Sequence, residues 1–217
     1  MKQNNEKPLS KVEVKGFEAR YYDWLMNLVT AGTYPFFIRN AIQEMQIKPG
    51  DEILVFGSGT GRNICLMNRY LDGKGRVVGL DIGDEMLRQA YKRCHNFSYV
   101  SFEKKRIDEP LPYSGVFDKV FISFVLHGFI QEDREKIIEN AYKALKPGGE
   151  FVILDYNEFD LTTAPWLVRL AFKAECPLAT DFVGRDLEAV LRKCGFDSFR
   201  KHRHYLGYVR LLGAHKA

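Results

Sequence analysis

No stretch of this 217-residue chain approaches the roughly 18 apolar residues in a row that a bilayer-spanning helix needs, so nothing in it reads as a membrane span. Cysteine is scarce. Cys65, Cys94, Cys176 and Cys194 lie far apart in sequence, with no Cys-x-x-Cys pair and no neighbouring histidine cluster. That spacing argues against a zinc site and against a disulfide framework, and no metal is expected. Four reduced thiols fit a cytoplasmic protein. Residues 1–15 are polar and lack the apolar core of a secretory leader, so none is expected. Excess charge of one sign is also missing: 32 Lys and Arg against 28 Asp and Glu leave +4, too little for the electrostatic footprint of a nucleic-acid binder. Much of the excess sits at Arg200, Lys201, Arg203, Arg210 and Lys216, which reads as a solvated face.

What is present is an ordinary globular composition, 46% hydrophobic and 28% charged, in a length that suits one domain with small additions. From Phe17 to Gln46 the apolar residues recur at helical spacing, interrupted by Gly32 and Pro35, which predicts two short helices ahead of a sheet. Residues 1–46 are therefore read as a helical cap region and 47–217 as the main domain. After the turn at Lys48-Pro49-Gly50-Asp51, strands are expected at 52–57, 76–81, 98–103, 117–123 and 149–156. Helices are expected near 62–71, 84–94, 131–145 and 183–194. Nearly all-apolar strands alternating with helices imply a parallel sheet covered on both faces. The runs Phe196 to Tyr205 and Tyr208 to His215 are joined only by Leu206-Gly207, too short for a crossover helix, and so form an antiparallel hairpin. The fold class is α/β, a Rossmann-like, mostly parallel seven-stranded sheet closed by that hairpin.

The most informative segment is Val55-Phe56-Gly57-Ser58-Gly59-Thr60-Gly61, followed by a second strand, Val77-Val78-Gly79-Leu80-Asp81. Glycine lacks a Cβ and tolerates positive φ, so a ligand can approach the backbone of this turn closely. The oxygens of Asp81 can accept hydrogen bonds from both hydroxyls of a ribose. A dinucleotide fingerprint, G-x-G-x-x-G, would need glycine where Arg62 stands, and too little chain remains for a separate substrate domain. The site is expected to take a nucleoside without a pyrophosphate.

On these residues the chain resembles a class I S-adenosylmethionine-dependent methyltransferase. The glycine motif at 55–61, the acidic strand end at Asp81, the passage Leu111-Pro112-Tyr113 to Phe117-Asp118, and Leu145-Lys146-Pro147-Gly148-Gly149 stand in order. Within that class it is similar to the ubiquinone/menaquinone C-methyltransferase (UbiE-like) family. The likeness rests on Tyr21-Tyr22-Asp23 with Leu25-Met26-Asn27, on Ile122-Ser123-Phe124, and on Cys194-Gly195-Phe196 through Gly207 to Ala214-His215-Lys216. Two departures stand out. Ile107-Asp108 occupies the place where that family often has Asn-Ala or Asp-Ala, and the segment between the fifth strand and the last helix is shorter.

The resemblance implies S-adenosyl-L-methionine as cofactor, with the backbone of Gly57, Ser58, Gly59 and Thr60 against its methionine part and Asp81 on the ribose. Ile82 and Met86 would flank the adenine, Ile107 and Asp108 would lie at its edge, and Ser123 would sit near the sulfonium. Tyr22 would contact the cofactor from ahead of the sheet. The plainer alternatives are core packing for Ile82 and Met86, a loop cap for Asp108 and packed aromatics for Tyr21 and Tyr22. His127, four residues past Ser123, is the candidate base, because histidine titrates near neutrality; a structural histidine is the alternative. Asp155 and Tyr156 are candidates to orient the acceptor.

The implied function is methyl transfer to a small hydrophobic or amphipathic acceptor, with a quinol ring carbon favoured. A phospholipid or other small-molecule N- or O-methyltransferase, or a non-catalytic S-adenosylmethionine-binding regulator, is the alternative. Nucleic acid is not expected as a partner, since Ser123-Phe124-Val125-Leu126 stands where an Asn-Pro-Pro-Tyr-type element would be needed. The segment 160–182, with Trp166, Leu167, Val168, Leu170, Ala171 and Phe172, suits a lid over a greasy acceptor or a peripheral membrane contact.

Overall fold

The computed structural model describes residues 32–217. The first expected helix, with Tyr21 and Tyr22, lies outside the described residues. The chain there opens with α1 (Tyr34–Glu44), which has Pro35 in its first turn, where the missing N–H costs nothing. Then follow β1 (Glu52–Phe56), α2 (Arg62–Leu71), β2 (Arg76–Asp81), α3 (Asp84–Cys94), β3 (Val100–Lys104), β4 (Phe117–Ser123), α4 (Gln131–Ala144) and β5 (Leu145–Tyr156). Three short helices, α5 (Trp166–Ala174), α6 (Pro177–Val183) and α7 (Leu187–Lys193), precede β6 (Phe196–His204) and β7 (Val209–Lys216).

The seven strands form one sheet in the order β3-β2-β1-β4-β5-β7-β6. The first five run parallel; β7 inserts antiparallel between β5 and β6, pairing Leu154 with Leu211 and Ile153 with Leu212. The expected mostly parallel sheet with a closing hairpin is therefore present.

Alternation along the central strands divides the core in two. Leu54, Phe56, Val120, Ile122, Phe151 and Ile153 pack on one face under α4 and α7, through Ile137, Ile138, Ala141 and Leu191. Ile53, Val55, Phe121, Val152 and Leu154 point to the other face, against Ile38 and Ile42 of α1, Ile64 and Met67 of α2, and Leu87 and Ala90 of α3. Each fully buried aliphatic side chain contributes about 1.5–3 kcal/mol of transfer free energy.

Three of the differences from the expected boundaries have a clear local reason. β5 starts at Leu145, because Leu145 pairs with Phe117 before the register jumps to Lys119 opposite Glu150, and the Lys146–Gly149 turn bulges out through Gly148 at φ 73°. The helix expected over 183–194 is α7 alone, preceded by Gly184 and Arg185 and started by Asp186, whose carboxylate accepts from Ala189 N at 2.9 Å. The hairpin link is a 3₁₀ turn, Tyr205–Gly207, with Leu206 at φ 55°.

Candidate functional site

Five parallel strands deliver their carboxyl ends to one edge of the sheet, where ligands of open α/β sheets bind. β1 ends in the glycine turn. Gly57, Gly59 and Gly61 all have positive φ, at 66°, 52° and 76°. Gly57 has a second constraint: a Cβ there would meet Val125 Cγ2 at 2.7 Å, so this turn and the segment after β4 are in direct contact. A Cβ on Gly59 would meet nothing within 4 Å, which leaves open space over the turn.

Asp81, at the end of β2, holds the turn in place. Its Oδ2 accepts Gly59 N–H at 2.8 Å and its Oδ1 accepts Gly83 N–H at 2.9 Å. Each carboxylate oxygen has two lone-pair sites, so one oxygen can serve more than one donor. Ser58 is buried, and its Oγ has no hydrogen-bond partner among the described residues. Such an orphan is costly unless a ligand satisfies it. Thr60 Oγ1 accepts from Arg93 at 2.7 Å.

Beyond Asp81 the wall continues. Met86 is buried yet joins neither of the two core clusters, and Ile82 is half-buried. Lys105 N donates to Asp81 O at 3.1 Å, which sets the loop carrying Ile107 and Asp108 beside the end of β2. Ile107 is buried in the core, and Asn140 clamps this loop through the carbonyls of Ile107 and Glu109 at 2.8 and 2.7 Å. Asp108 itself is paired with Arg106 at 2.7 Å.

β4 ends at Ser123, half-buried, and Phe124 then turns the chain with φ 51°. Val125 packs against Gly57, and His127 lies in the short 3₁₀ turn Leu126–Gly128. His127 Nδ1 meets Asp155 Oδ1 at 2.7 Å, while Asp155 Oδ2 accepts the backbone N–H of His127 at 3.2 Å. Burial works against a charge on His127, but the charge and hydrogen bond of Asp155 outweigh it and raise its pKa above the ordinary histidine value. Tyr156 stacks near the imidazole, centroids 4.9 Å apart, and its hydroxyl donates to Glu175 at 2.5 Å. Phe124 and Phe172 pack on the Tyr156 ring, and the Phe182 ring lies 6.4 Å from the imidazole. Asp155 is fully buried, so it acts on His127 rather than reaching outward.

Two contributors went unnoticed in the sequence. Arg134 is buried and donates to the carbonyls of Leu126, His127 and Leu178 at 3.3, 3.2 and 2.8 Å and to Asp181 at 2.7 Å, tying the His127 turn to α6. Its signal was available: Arg134 occupies the apolar phase of α4 with Ile137, Ile138 and Ala141, an odd place for a solvated charge. Glu175, at the α5–α6 junction, gave no comparable signal. Tyr22 lies outside the described residues. Within 160–182 the apolar residues split, with Phe172 buried and Trp166, Leu167 and Leu170 exposed.

Comparison with known proteins fits this geometry. Residues 47–190 match the family model described as a methyltransferase domain. Among curated proteins, the chain is 33% identical over 151 residues to the ubiquinone/menaquinone biosynthesis C-methyltransferase UbiE of Xanthomonas oryzae pv. oryzae, covering 68% of this chain and 58% of that one. It is 29% identical over 143 residues to UbiE of Methylococcus capsulatus, covering 63% and 56%. The match thus spans somewhat over half the length of these relatives. Among solved structures, an S-adenosylmethionine-dependent methyltransferase from Aquifex aeolicus superimposes with TM-score 0.64 at 19% identity, over 83% of this chain and 89% of that one. Phosphoethanolamine N-methyltransferase 2 of Haemonchus contortus, in complex with S-adenosyl-L-methionine, gives 0.62 at 17%, over 78% and 49%. At these identities the structural likeness speaks for the fold.

Proposed function

The chain belongs to the class I S-adenosylmethionine-dependent methyltransferases, with sequence relatives in UbiE, and from that premise we propose that it methylates a ring carbon of a small quinol-like acceptor. The observation that carries the reading is the Asp81 carboxylate, which braces Gly59 and Gly83, while the buried Oγ of Ser58 in the same turn has no partner among the described residues. These groups suit an adenosine with an attached amino acid: Asp81 for the ribose hydroxyls, the Gly57–Thr60 backbone and Ser58 for the methionine part, Ile82 and Met86 for the flat base. Ile107 and Asp108 would border the base, and Ser123 would lie toward the sulfur.

S-adenosylmethionine supplies a methyl group already activated on a sulfonium. What remains for the chain is to position the acceptor and exclude water. Tyr156 and Phe124, whose rings meet edge to face with Phe172 packed behind Tyr156, offer apolar walls to an aromatic acceptor. His127, held by Asp155, would take the phenolic proton at Nε2, which increases electron density at the ring carbon that attacks. The exposed Trp166, Leu167 and Leu170 of α5, with Arg169 and Lys173 on the same short helix, suit contact with a lipid surface that holds such an acceptor. No helix of the described residues is long and apolar enough to cross a membrane.

The test is incubation with methyl-labelled S-adenosylmethionine and a membrane-lipid extract, followed by fractionation. Label in a quinone fraction on a carbon is the expected result. Label in phospholipid headgroups favours the N-methyltransferase alternative, and cofactor binding without transfer on any fraction favours a regulator. Failure to bind the cofactor in calorimetry would sink the reading as a whole.

A further inference from the structure

Behind the glycine turn, on the face of the sheet away from His127, two cysteines that are 29 residues apart in sequence meet. Cys65 Sγ lies 2.9 Å from Cys94 Sγ. Cys65 is on α2, the helix that the glycine turn opens, and Cys94 is the last residue of α3, the helix that begins beside Asp81 and carries Met86. Both converge on one carbonyl: Gly61 O accepts Cys65 N–H at 3.0 Å, and Cys94 Sγ lies 3.7 Å from the same oxygen. There is no slack between them, since a Cβ on Gly61 would sit 3.1 Å from Ala90 and 3.4 Å from Cys94 Sγ. Arg93, next to Cys94, reaches the same turn through Thr60 Oγ1. The sequence spacing gave no hint of this pair.

We propose that Cys65 and Cys94 are a reversible disulfide site through which a low-molecular-weight disulfide acts on the glycine turn. The two thiols are chemically unequal, as exchange requires. The hydrogen bond from Cys94, aided by the charge of Arg93, lowers the Cys65 pKa against the effect of burial, and the same bond together with burial pushes Cys94 up. Cys65 is half-buried and Cys94 is buried, so the more acidic thiol is also the more accessible one.

In the first step the Cys65 thiolate attacks a sulfur of oxidised glutathione, forming a mixed disulfide and releasing one glutathione thiolate. In the second, Cys94 gives up its proton, attacks Cys65 Sγ and releases the second glutathione. The balance is two protein thiols oxidised and one small disulfide reduced to two thiols. The sulfurs close from 2.9 Å to about 2.0 Å. Closure draws α2 and α3 together directly under the turn. The effect on cofactor affinity rests on the function proposed above; the bridge itself does not.

The full chain is treated with oxidised glutathione, alkylated and peptide-mapped. The expected product is an intramolecular Cys65–Cys94 link, two hydrogens lighter, reversed by dithiothreitol and absent in Cys65→Ser and Cys94→Ser, while Cys176 and Cys194 stay alkylatable. Bridging should raise the unfolding midpoint by roughly 5–10 °C and slow hydrogen exchange at 57–65. It should also weaken S-adenosylmethionine binding threefold or more. Glutathione on Cys176 or Cys194 with Cys65 and Cys94 still free overturns the site. An unchanged affinity in fully bridged protein overturns its action on the turn. A bridge that forms with slowed exchange, in a protein that never binds the cofactor, would leave this proposal standing and sink the methyltransferase reading instead.

Discussion

His127 and Asp155 are joined twice: the imidazole Nδ1 lies 2.7 Å from one carboxylate oxygen, and the His127 backbone N–H reaches the other at 3.2 Å. The first oxygen also accepts the backbone N–H of Tyr156 at 2.8 Å. With these donors around a fully buried carboxylate, the assigned tautomer has its proton on Nδ1, and Nε2 is left as the basic atom. The ring can then neither turn over nor drift, which is the geometric requirement for a base.

Replacing Asp155 with Asn tests that arrangement. The variant loses the charge that raises the His127 pKa, so the ascending limb of the kcat/KM profile, where His127 must be neutral, should move to lower pH. The plateau should fall about 10²-fold or more, because an amide no longer dictates the tautomer. A limb that stays in place, measured by initial rates from pH 5 to 9, would assign the ionisation to another group.

The same raised pKa makes a stability prediction with a definite sign. A group whose pKa is higher folded than unfolded stabilises the fold fully below its unfolded value, about 6.5 for histidine. That stabilisation is lost as pH rises through the higher folded value. Urea unfolding at pH 5.5 and 8.5 should therefore show a loss toward alkaline pH that is smaller in His127→Gln. Equal pH dependence in both proteins would mean that the Asp155 contact does not favour the charged ring.

Gly57→Ala should destabilise through two separable causes. Its φ of 66° costs an L-residue about 1–2 kcal/mol, and its new Cβ would lie 2.7 Å from Val125 Cγ2. Adding Val125→Ala relieves the clash but not the backbone cost, so the double variant should recover part of the lost thermal stability and keep a deficit of about that size. Full recovery would show that the positive φ is not demanded by the fold.

Much of the frame was legible because it follows from short-range rules. Apolar runs of five to seven residues, glycines at the end of β1 and the short link of the hairpin each admit few arrangements. Asp81 was legible for the same reason, as an acid ending an otherwise apolar strand. Glu175 was not, and of Arg134 only its odd place in the apolar phase of α4 was, because their roles depend on α4, α5 and α6 converging on the His127 turn, contacts across 40 or more residues such as Arg134 to Asp181 and Leu178. The Cys65–Cys94 contact was hidden for a related reason: only the packing of α2 against α3 brings the pair together. Exposure on α5 was likewise undecidable from periodicity, which marks an apolar face without saying what covers it.

Asp81 is where the fold and the proposed site meet, so its substitution separates them. Asp81→Asn keeps one acceptor oxygen of similar shape, whereas Asp81→Ala removes both and leaves Gly59 N–H and Gly83 N–H without their acceptors. A charge-assisted hydrogen bond contributes about 1.5–3 kcal/mol, so the Ala variant should bind S-adenosylmethionine roughly 10- to 150-fold more weakly in calorimetry. The Asn variant should fall between it and the parent. If affinity falls only as far as thermal stability falls, the carboxylate acts through the glycine turn alone. If Asp81→Asn retains the parent's melting temperature and still loses affinity, the lost interaction is with the ligand. Parent-like affinity in Asp81→Ala would place the ribose elsewhere.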